Sequence, residues 1–448
     1  MHRCAARTDK GGHGKVAAVE ANFELSDEHK SFVELVSQDT GGVFYLTGPA
    51  GSGKSTLIEY LRKNIFRIPL IAAPTGVAAL NVRGQTIHSL FQLPLGPLLP
   101  GDARLFKRYF ARNKYEMFRR SDIIIIDEIS MVRADTLDAI DTILRRLMRR
   151  EDVPFGGKKI LMVGDVFQLE PIVKGTEAGL LAEHYESAFF FDSLVMRNNA
   201  YETFTLKKVY RQSDERFLGL LNTVKMGESD EYTLEGLNER VQEDNKDPKT
   251  IYLCARKAEA DAINNARMNA LNSESRSYSG RVSGEFGINI LPNDILLELK
   301  IGARVMFLKN DLEKRFVNGT LGTVRALNSQ TIEIETDDGV SVEMEPELWE
   351  NIKYSYDETT KAISENVMGS FEQFAIKPAW AITIHKSQGL TFDTVNINLG
   401  SGAFASGMLY VALSRCRTLE GISLKAPLLP KDFKVNPTII NFAGGGFF

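Results

Sequence analysis

The stretch Gly48-Pro49-Ala50-Gly51-Ser52-Gly53-Lys54-Ser55 constrains the fold of this 448-residue chain more than any other. It fits the pattern G-x-x-x-x-G-K-[ST] at every fixed position. Residues 43–47 before it read as a short buried strand and residues 56–62 after it as a helix, which is the setting the pattern requires. Gly48, Gly51 and Gly53 let the backbone curl, so that successive N–H groups through Ser52 and Thr56 and the helix N-terminus can face phosphate oxygens. Lys54 is then placed to reach the β and γ oxygens, and the Ser55 hydroxyl to ligate magnesium. The stretch predicts a nucleoside triphosphate site in an α/β sheet.

A chain this long exceeds one hydrophobic core, and about 150 residues per domain gives roughly two to four domains. Lys plus Arg number 54 against 58 Asp plus Glu, a net charge of −4. Any contact with a polyanion must therefore come from a local patch. Cys4, Cys254 and Cys416 are too far apart for a metal motif and fit a reducing interior. No run approaches the ~18 apolar residues of a membrane helix, which argues against a membrane partner. Residues 1–21 lack a signal-peptide core and read as a loose tail.

Along the chain, Ser26-Asp27-Glu28 predicts a capped helix with acids in its first turn. Residues 68–72 form a strand that runs into Pro74-Thr75-Gly76, a strand-end loop of the kind that binds ligands. His88 follows in Gln85-Thr86-Ile87-His88-Ser89, where alone it would read equally as a structural histidine. Residues 104–120, RLFKRYFARNKYEMFRR, carry seven basic residues against one acid. Two readings stay open: a phosphate grip with aromatics facing bases, or an amphipathic helix with a solvated basic face.

Residues 121–128, SDIIIIDE, read as a strand buried on both faces that ends in two carboxylates. In a phosphate-loop protein Asp127 would hold the metal and Glu128 would polarise the attacking water. A second strand ends at Gly164-Asp165, and Gln168 beyond it could sense a γ-phosphate. A second α/β set is predicted from Phe204-Thr205-Leu206 onward, with Tyr210-Arg211-Gln212 and a strand at residues 251–255. Ser-rich residues 272–284 mark a boundary. Residues 302–345 then alternate as four short strands with Asn318-Gly319 and Asp337-Asp338-Gly339 turns, a small inserted barrel. The α/β pattern resumes at Trp380, with Thr383-Ile384-His385-Lys386-Ser387-Gln388-Gly389 and a helix ending in Arg415. Cations from outside the first domain are needed against transition-state charge, and Arg211 and Arg415 are the candidates.

In this order GPAGSGKS, PTGVAALN, TIHS, IIIIDEIS, GDVFQLEP, YRQSDERF, ITIHKSQGLTFD and LYVALSRCR resemble the motifs of a superfamily 1 helicase, most of all the Pif family, with RecD-like and phage Dda enzymes as relatives. Pro154-Phe155-Gly156-Gly157 is similar to that family's signature. The resemblance covers residues 25–424. It implies an α/β fold of two RecA-like P-loop NTPase domains, with a small wedge insertion in the first and an SH3-like β-barrel insertion in the second. The implied limits are a tail at 1–22, a first domain at 23–197 with the wedge near 85–118, a second at 198–290 and 370–435, the barrel at 291–369, and a C-terminal tail at 436–448.

The resemblance further implies an ATP- and Mg2+-dependent motor moving 5′-to-3′ on single-stranded DNA. It would unwind duplex, forked or G-quadruplex DNA in replication, repair or recombination. The family's roles fall on Lys54, Asp127, Glu128, Gln168, Arg211 and Arg415 for catalysis, with Gln388 and Gly389 beside the nucleotide. Pro74, Thr75, His88, Thr383, His385 and Lys386 fall in the motifs that touch the strand. His29 stands where the adenine-reading helix usually has Gln, and Glu170 where a Pro is usual. An intracellular protein is implied, bacterial cytoplasm before nucleus, monomeric or dimeric on DNA. Two other readings are a translocase that strips proteins or works on RNA, and a nucleotide-switched binding module. Tailed forks test the first, and stimulation of ATPase by single-stranded DNA tests the second.

Overall fold

The computed structural model describes residues 25–38, 41–106, 110–173, 175–212, 214–242, 249–287, 291–311, 313, 315–316, 318–357 and 362–444. The expected N-terminal tail, residues 107–109 of the basic stretch, and residues 445–448 lie outside the described residues.

The isoleucine run sets the first lobe. Ile123, Ile125 and Ile124, Ile126 are all fully buried, the odd pair in one apolar cluster and the even pair in another. A strand with both faces covered is what the interior of a parallel sheet flanked by helices requires. That sheet has the order β3-β2-β4-β5-β1-β6, from β1 (Val43–Thr47), β2 (Pro69–Ala73), β3 (Gln85–Thr86), β4 (Ile123–Ile126), β5 (Ile160–Val163) and β6 (Glu202–Thr205), and its pairings are parallel. Helices α1 (Asp27–Ser37) and α2 (Lys54–Asn64) cover one face through Phe32, Val36, Leu57, Ile58 and Leu61. Ser26 caps α1, accepting from the His29 N–H at 3.3 Å. Helices α3 (Gly76–Asn81), α4 (Ile87–Phe91), α5 (Ala103–Phe106), α6 (Arg112–Arg120) and α7 (Ala134–Met148) follow, and Leu90, Phe91, Phe118 and Ile140 pack into the cluster on the opposite face. Short helices α8 (Gly175–Ala182) and α9 (Leu194–Arg197) close the lobe.

Strand β6 corrects the reading that Phe204 opens the second α/β set. It pairs with β1, Phe204 opposite Leu46, so it is the edge of the first sheet and the crossing to the second lobe begins only at Leu206. The second sheet has the order β18-β7-β19-β20, again parallel, with β18 at Ala381–Thr383, β7 at Ile251–Cys254, β19 at Val395–Asn398 and β20 at Ile422–Leu424. Helices α10 (Glu215–Met226) and α11 (Glu231–Asn238) lead to its strand β7 (Ile251–Cys254) and then α12 (Lys257–Asn269).

The chain then leaves that sheet for an antiparallel module. Its strands are β8 (Ser275–Ser279), β9 (Arg281–Gly284), β10 (Leu296–Lys300), β11 (Arg304–Phe307), β12 (Leu321–Leu327), β13 (Ile332–Thr336), β14 (Ser341–Met344), β15 (Glu347–Asp357), β16 (Ala362–Gln373) and β17 (Ile376–Pro378). They form sheets β14-β13-β12-β11-β17, β15-β16-β9 and β10-β8 around a separate core that includes Val305, Phe307, Val324, Ile334, Trp349 and Phe371. The module therefore opens at Ser275, inside the presumed Ser-rich boundary, and closes at Pro378 rather than 369. Against the first lobe, β15 lies on α6, and the Asn318 amide donates to Asn81 Oδ1 at 2.8 Å.

Strands β18 (Ala381–Thr383), β19 (Val395–Asn398) and β20 (Ile422–Leu424) complete the second sheet, with α13 (Met408–Leu413) between the last two. A C-terminal tail was expected from residue 436, but α14 (Pro437–Gly444) forms there and returns to the first lobe. Ile439 is buried, and Phe442 stacks on Phe191 with centroids 4.0 Å apart.

Candidate active site

The phosphate loop leaves the C-terminal end of β1 and enters α2 through Gly53, whose φ of +89° is left-handed. The Lys54 ammonium folds back on its own loop, donating to the carbonyls of Gly48 at 2.7 Å and Pro49 at 2.9 Å. Burial lowers its pKa, against the opposing pull of Asp165, Glu128 and Asp127. The pocket is thus one in which a cation sits among three acids. Ser55 and Thr56 at the first turn of α2 are exposed, while Ser52 is buried.

Two strands over from β1, β4 delivers Asp127 and Glu128, and β5 lies between them. Burial, then the neighbouring Glu128, pushes the Asp127 carboxyl up to about 7. Burial also raises Glu128, with Lys54 and Arg415 opposing. Glu128 sits at φ +50°, a left-handed conformation that non-glycine residues avoid and that tends to mark functional turns.

The second lobe reaches the same place. The Gln388 amide donates to Glu128 Oε2 at 2.8 Å and to Gln168 Oε1 at 3.2 Å, so one side chain joins both first-lobe groups. Arg415 is 1% exposed, donating to Val411 O at 2.9 Å and Ser414 Oγ at 2.8 Å. Burial lowers it to about 10 although Glu128 favours its charge. Arg211 lies on the crossing segment after β6, not on the second sheet. A Cβ on Gly51 would stand 2.5 Å from Arg211 Cβ, so the loop needs glycine there, where φ is +82°. Arg211 donates to Ser414 O at 3.0 Å, and burial, then Arg415, lowers it to about 9. Two guanidinium groups, each disfavoured by burial and Arg211 also by Arg415, border a pocket that a polyphosphate would suit.

His29 packs over Gly53, its Nε2 3.2 Å from where a Cβ would be, and stacks on Tyr210 with centroids 5.7 Å apart. It also makes a backbone hydrogen bond with Ser52, while burial lowers its pKa. It therefore braces the loop and offers an aromatic edge beside it.

Sequence reasoning passed over Asp165 and Tyr410. The Tyr410 hydroxyl donates to Asp165 Oδ2 at 3.1 Å and accepts from the Ala50 N–H at 3.2 Å. The available signal was a phenol on an otherwise apolar helix, five residues before Arg415.

The residues expected on DNA lie elsewhere. Pro74 and Thr75 follow β2, and Thr75 Oγ1 accepts from the Ala78 N–H at 3.2 Å. Thr383 ends β18, and its Oγ1 accepts from the Lys386 N–H at 3.3 Å. Thr75 thus lies just past the C-terminal end of a strand in the first sheet, and Thr383 at the C-terminal end of one in the second. His88 is half-buried on α4, lowered by burial and by Arg133. His385 stacks on exposed Phe404, with Arg256 over the other ring. Lys386 and Gly389 are exposed. In the basic stretch, Phe118 is buried against Phe91, Lys114 turns inward to Ser89 O at 3.2 Å, and Arg104 pairs with Asp102. Lys114 and Phe118 of this stretch are thus structural, while Arg104, Arg112 and Arg119 stay exposed. Pro154–Gly157 forms a turn against α7, the Phe155 N–H donating to Asp141 Oδ1 at 2.5 Å, remote from the cleft.

Two parallel α/β lobes that share one phosphate-loop pocket, acids on one side and Gln and Arg on the other, define a two-lobed P-loop NTPase. The profile described as PIF1-like helicase matches residues 24–232, and that described as UvrD-like helicase C-terminal domain matches 378–419. The chain is 33% identical to an ATP-dependent DNA helicase Pif1 of Bdellovibrio bacteriovorus, over 98% of this chain and 96% of that one. It is 31% identical to the ATP-dependent DNA helicase PIF1 of Homo sapiens, over 94% of this chain but 63% of the longer human protein. Bacteroides sp Pif1 in complex with ADP-AlF4 superposes with a TM-score of 0.87 at 38% identity, covering 95% of this chain and 97% of that one. Bacteroides Pif1 bound to single-stranded DNA matches over 95% and 97% at the same identity but with a TM-score of 0.69. The chain belongs to the PIF1-like helicase family, and its two sheets are RecA-like domains.

Proposed function

We propose that the protein is an ATP-dependent DNA helicase that walks 5′-to-3′ on single-stranded DNA and opens duplex and forked substrates, G-quadruplexes included, in genome maintenance. The observation that carries this is the Gln388 bridge to Glu128 and Gln168, because it makes the state of the pocket and the separation of the lobes one variable. A triphosphate would draw Lys54 off its loop carbonyls and engage Arg211 and Arg415, and hydrolysis would release them. Thr75 and Thr383, each at or just past the C-terminal end of a parallel strand, would then grip the DNA strand alternately. Opening a base-pair step costs on average ~1.4 kcal/mol, well within one hydrolysis.

Among the described residues no group of three or more His, Cys, Asp or Glu could hold an ion. The oxygen donors of Ser55 and Asp127 fit magnesium, which takes few protein ligands and completes its shell with phosphate and water. Bound there, it would neutralise charge on the β and γ phosphates. Glu128 is the base for water, Gln168 senses the γ-phosphate, and His29 with Tyr210 flanks the adenine. The protein would work inside the cell, as a monomer or as a dimer on DNA. The lower TM-score against the DNA-bound relative supports a lobe rearrangement when a strand enters. Strand displacement on forks with a single 5′ or 3′ tail tests the reading. Unwinding of the 5′-tailed fork alone is expected, and unwinding of the 3′-tailed fork alone would overturn the polarity.

A further inference from the structure

Tyr410 connects the lobes at a point none of the expected roles uses. Its hydroxyl holds the Ala50 N–H of the phosphate loop at 3.2 Å and Asp165 Oδ2 at 3.1 Å, so loop, β5 end and α13 share one atom. Tyr410 is 3% exposed and Asp165 2%. Parting them would strip the buried Tyr410 hydroxyl of this acceptor, while Asp165 would keep the Phe167 N–H on Oδ1 at 3.2 Å. The contact is tight along its length: a Cβ on Gly407, the residue before α13, would stand 2.3 Å from Gln168 O and 2.4 Å from Phe167 O. At its other end α13 shapes Arg415, whose Nε donates to Val411 O at 2.9 Å. Tyr410, Val411 and Arg415 therefore move as one body.

We propose that Tyr410 is a positioning residue for hydrolysis. Through Asp165 and Ala50 it sets the register of α13, and so of the Arg415 guanidinium, against the phosphate loop. The alternative is that the ring merely fills the core, which its apolar neighbours on α13 would equally require. The inference rests on reading the pocket as the site of ATP hydrolysis.

Tyr410→Phe keeps the ring and removes the oxygen. Transition-state charge depends on donor placement more than ground-state binding does. Affinity for ADP–aluminium fluoride is therefore expected to fall about tenfold while affinity for ADP stays within about twofold, kcat falling and KM for ATP holding. In a cycle with Asp165→Ala, Tyr410→Phe should cost less than it does alone, because one of its two contacts is already gone and only the Ala50 N–H remains. Equal losses for both ligands, no loss, or simple addition in the cycle would overturn the proposal. If the tyrosine variant does not fold, Asp165→Ala alone must show the same selective loss, and its absence counts against the role. A wild-type protein that binds neither ADP nor its fluoride complex would refute the pocket reading itself rather than the tyrosine's part in it.

Discussion

Lys54 donates to Gly48 and Pro49 in its own loop, so phosphate binding is an exchange of hydrogen bonds and not the filling of a bare site. The same logic governs other buried cations. Lys377 on β17 is pushed down to about 8, first by burial and then by Lys386, with Asp294 opposing. Its folded pKa lies below the ordinary 10.5, so folding is penalised while the amine must be charged. That penalty is full below about 8 and fades as pH rises towards the unfolded value. Lys377→Met is expected to raise the melting temperature at pH 7 and to give no gain near pH 10.5, in melts without DNA. Lys386 is exposed and is expected to meet phosphate. Lys386→Gln should weaken single-stranded DNA binding across sequences and lower the salt slope by about one, in titrations at several salt concentrations. At this scale the first-lobe site was legible, because Gly51, Lys54, Asp127 and Glu128 are local motifs at strand ends. Tyr410 and Asp165 were not, since their meaning lies in a contact across 245 residues of sequence separation.

Among the elements, strand type was easier to read than strand partner. The run of residues 123–126 announces a strand buried on both faces, and the turns at Gly319 and Gly339 do adopt left-handed φ of +94° and +82°. Nothing in the four residues of β6 says that they pair with β1 instead of starting a new sheet. Strands β8 and β9 hide in a serine-rich stretch because most of their side chains are exposed, leaving little apolar alternation. Helix α14 resembles a tail in sequence because its eight residues hold one buried anchor, Ile439, and a half-buried Phe442, whose acceptor surface lies far off in the chain. That surface is Tyr45, Phe190 and Phe191 of the first lobe, facing Phe442. Ile439 is 1% exposed, and Ile439→Ala is expected to cost about 2–4 kcal/mol in urea denaturation. A cost near zero would mean that the helix does not dock in solution.

At the scale of the whole molecule, the second lobe is tied to the first by the crossing segment through Arg211, by α14, by the Asn318–Asn81 contact of the inserted module, and by the cleft itself. A net charge of −4 leaves DNA binding to local groups, so the molecule gains its grip from how the lobes are set and not from a global field. Neither lobe is expected to hydrolyse ATP alone, because Lys54 and the acids come from one and Arg415 from the other. The most direct measurement is steady-state ATPase of Arg415→Ala with saturating single-stranded DNA, alongside binding of a non-hydrolysable ATP analogue and a thermal melt. An arginine at such a position is worth ~10³ or more in rate, so turnover is expected to fall by that order while analogue binding persists and the protein stays folded. Turnover close to that of the wild type would contradict the shared site.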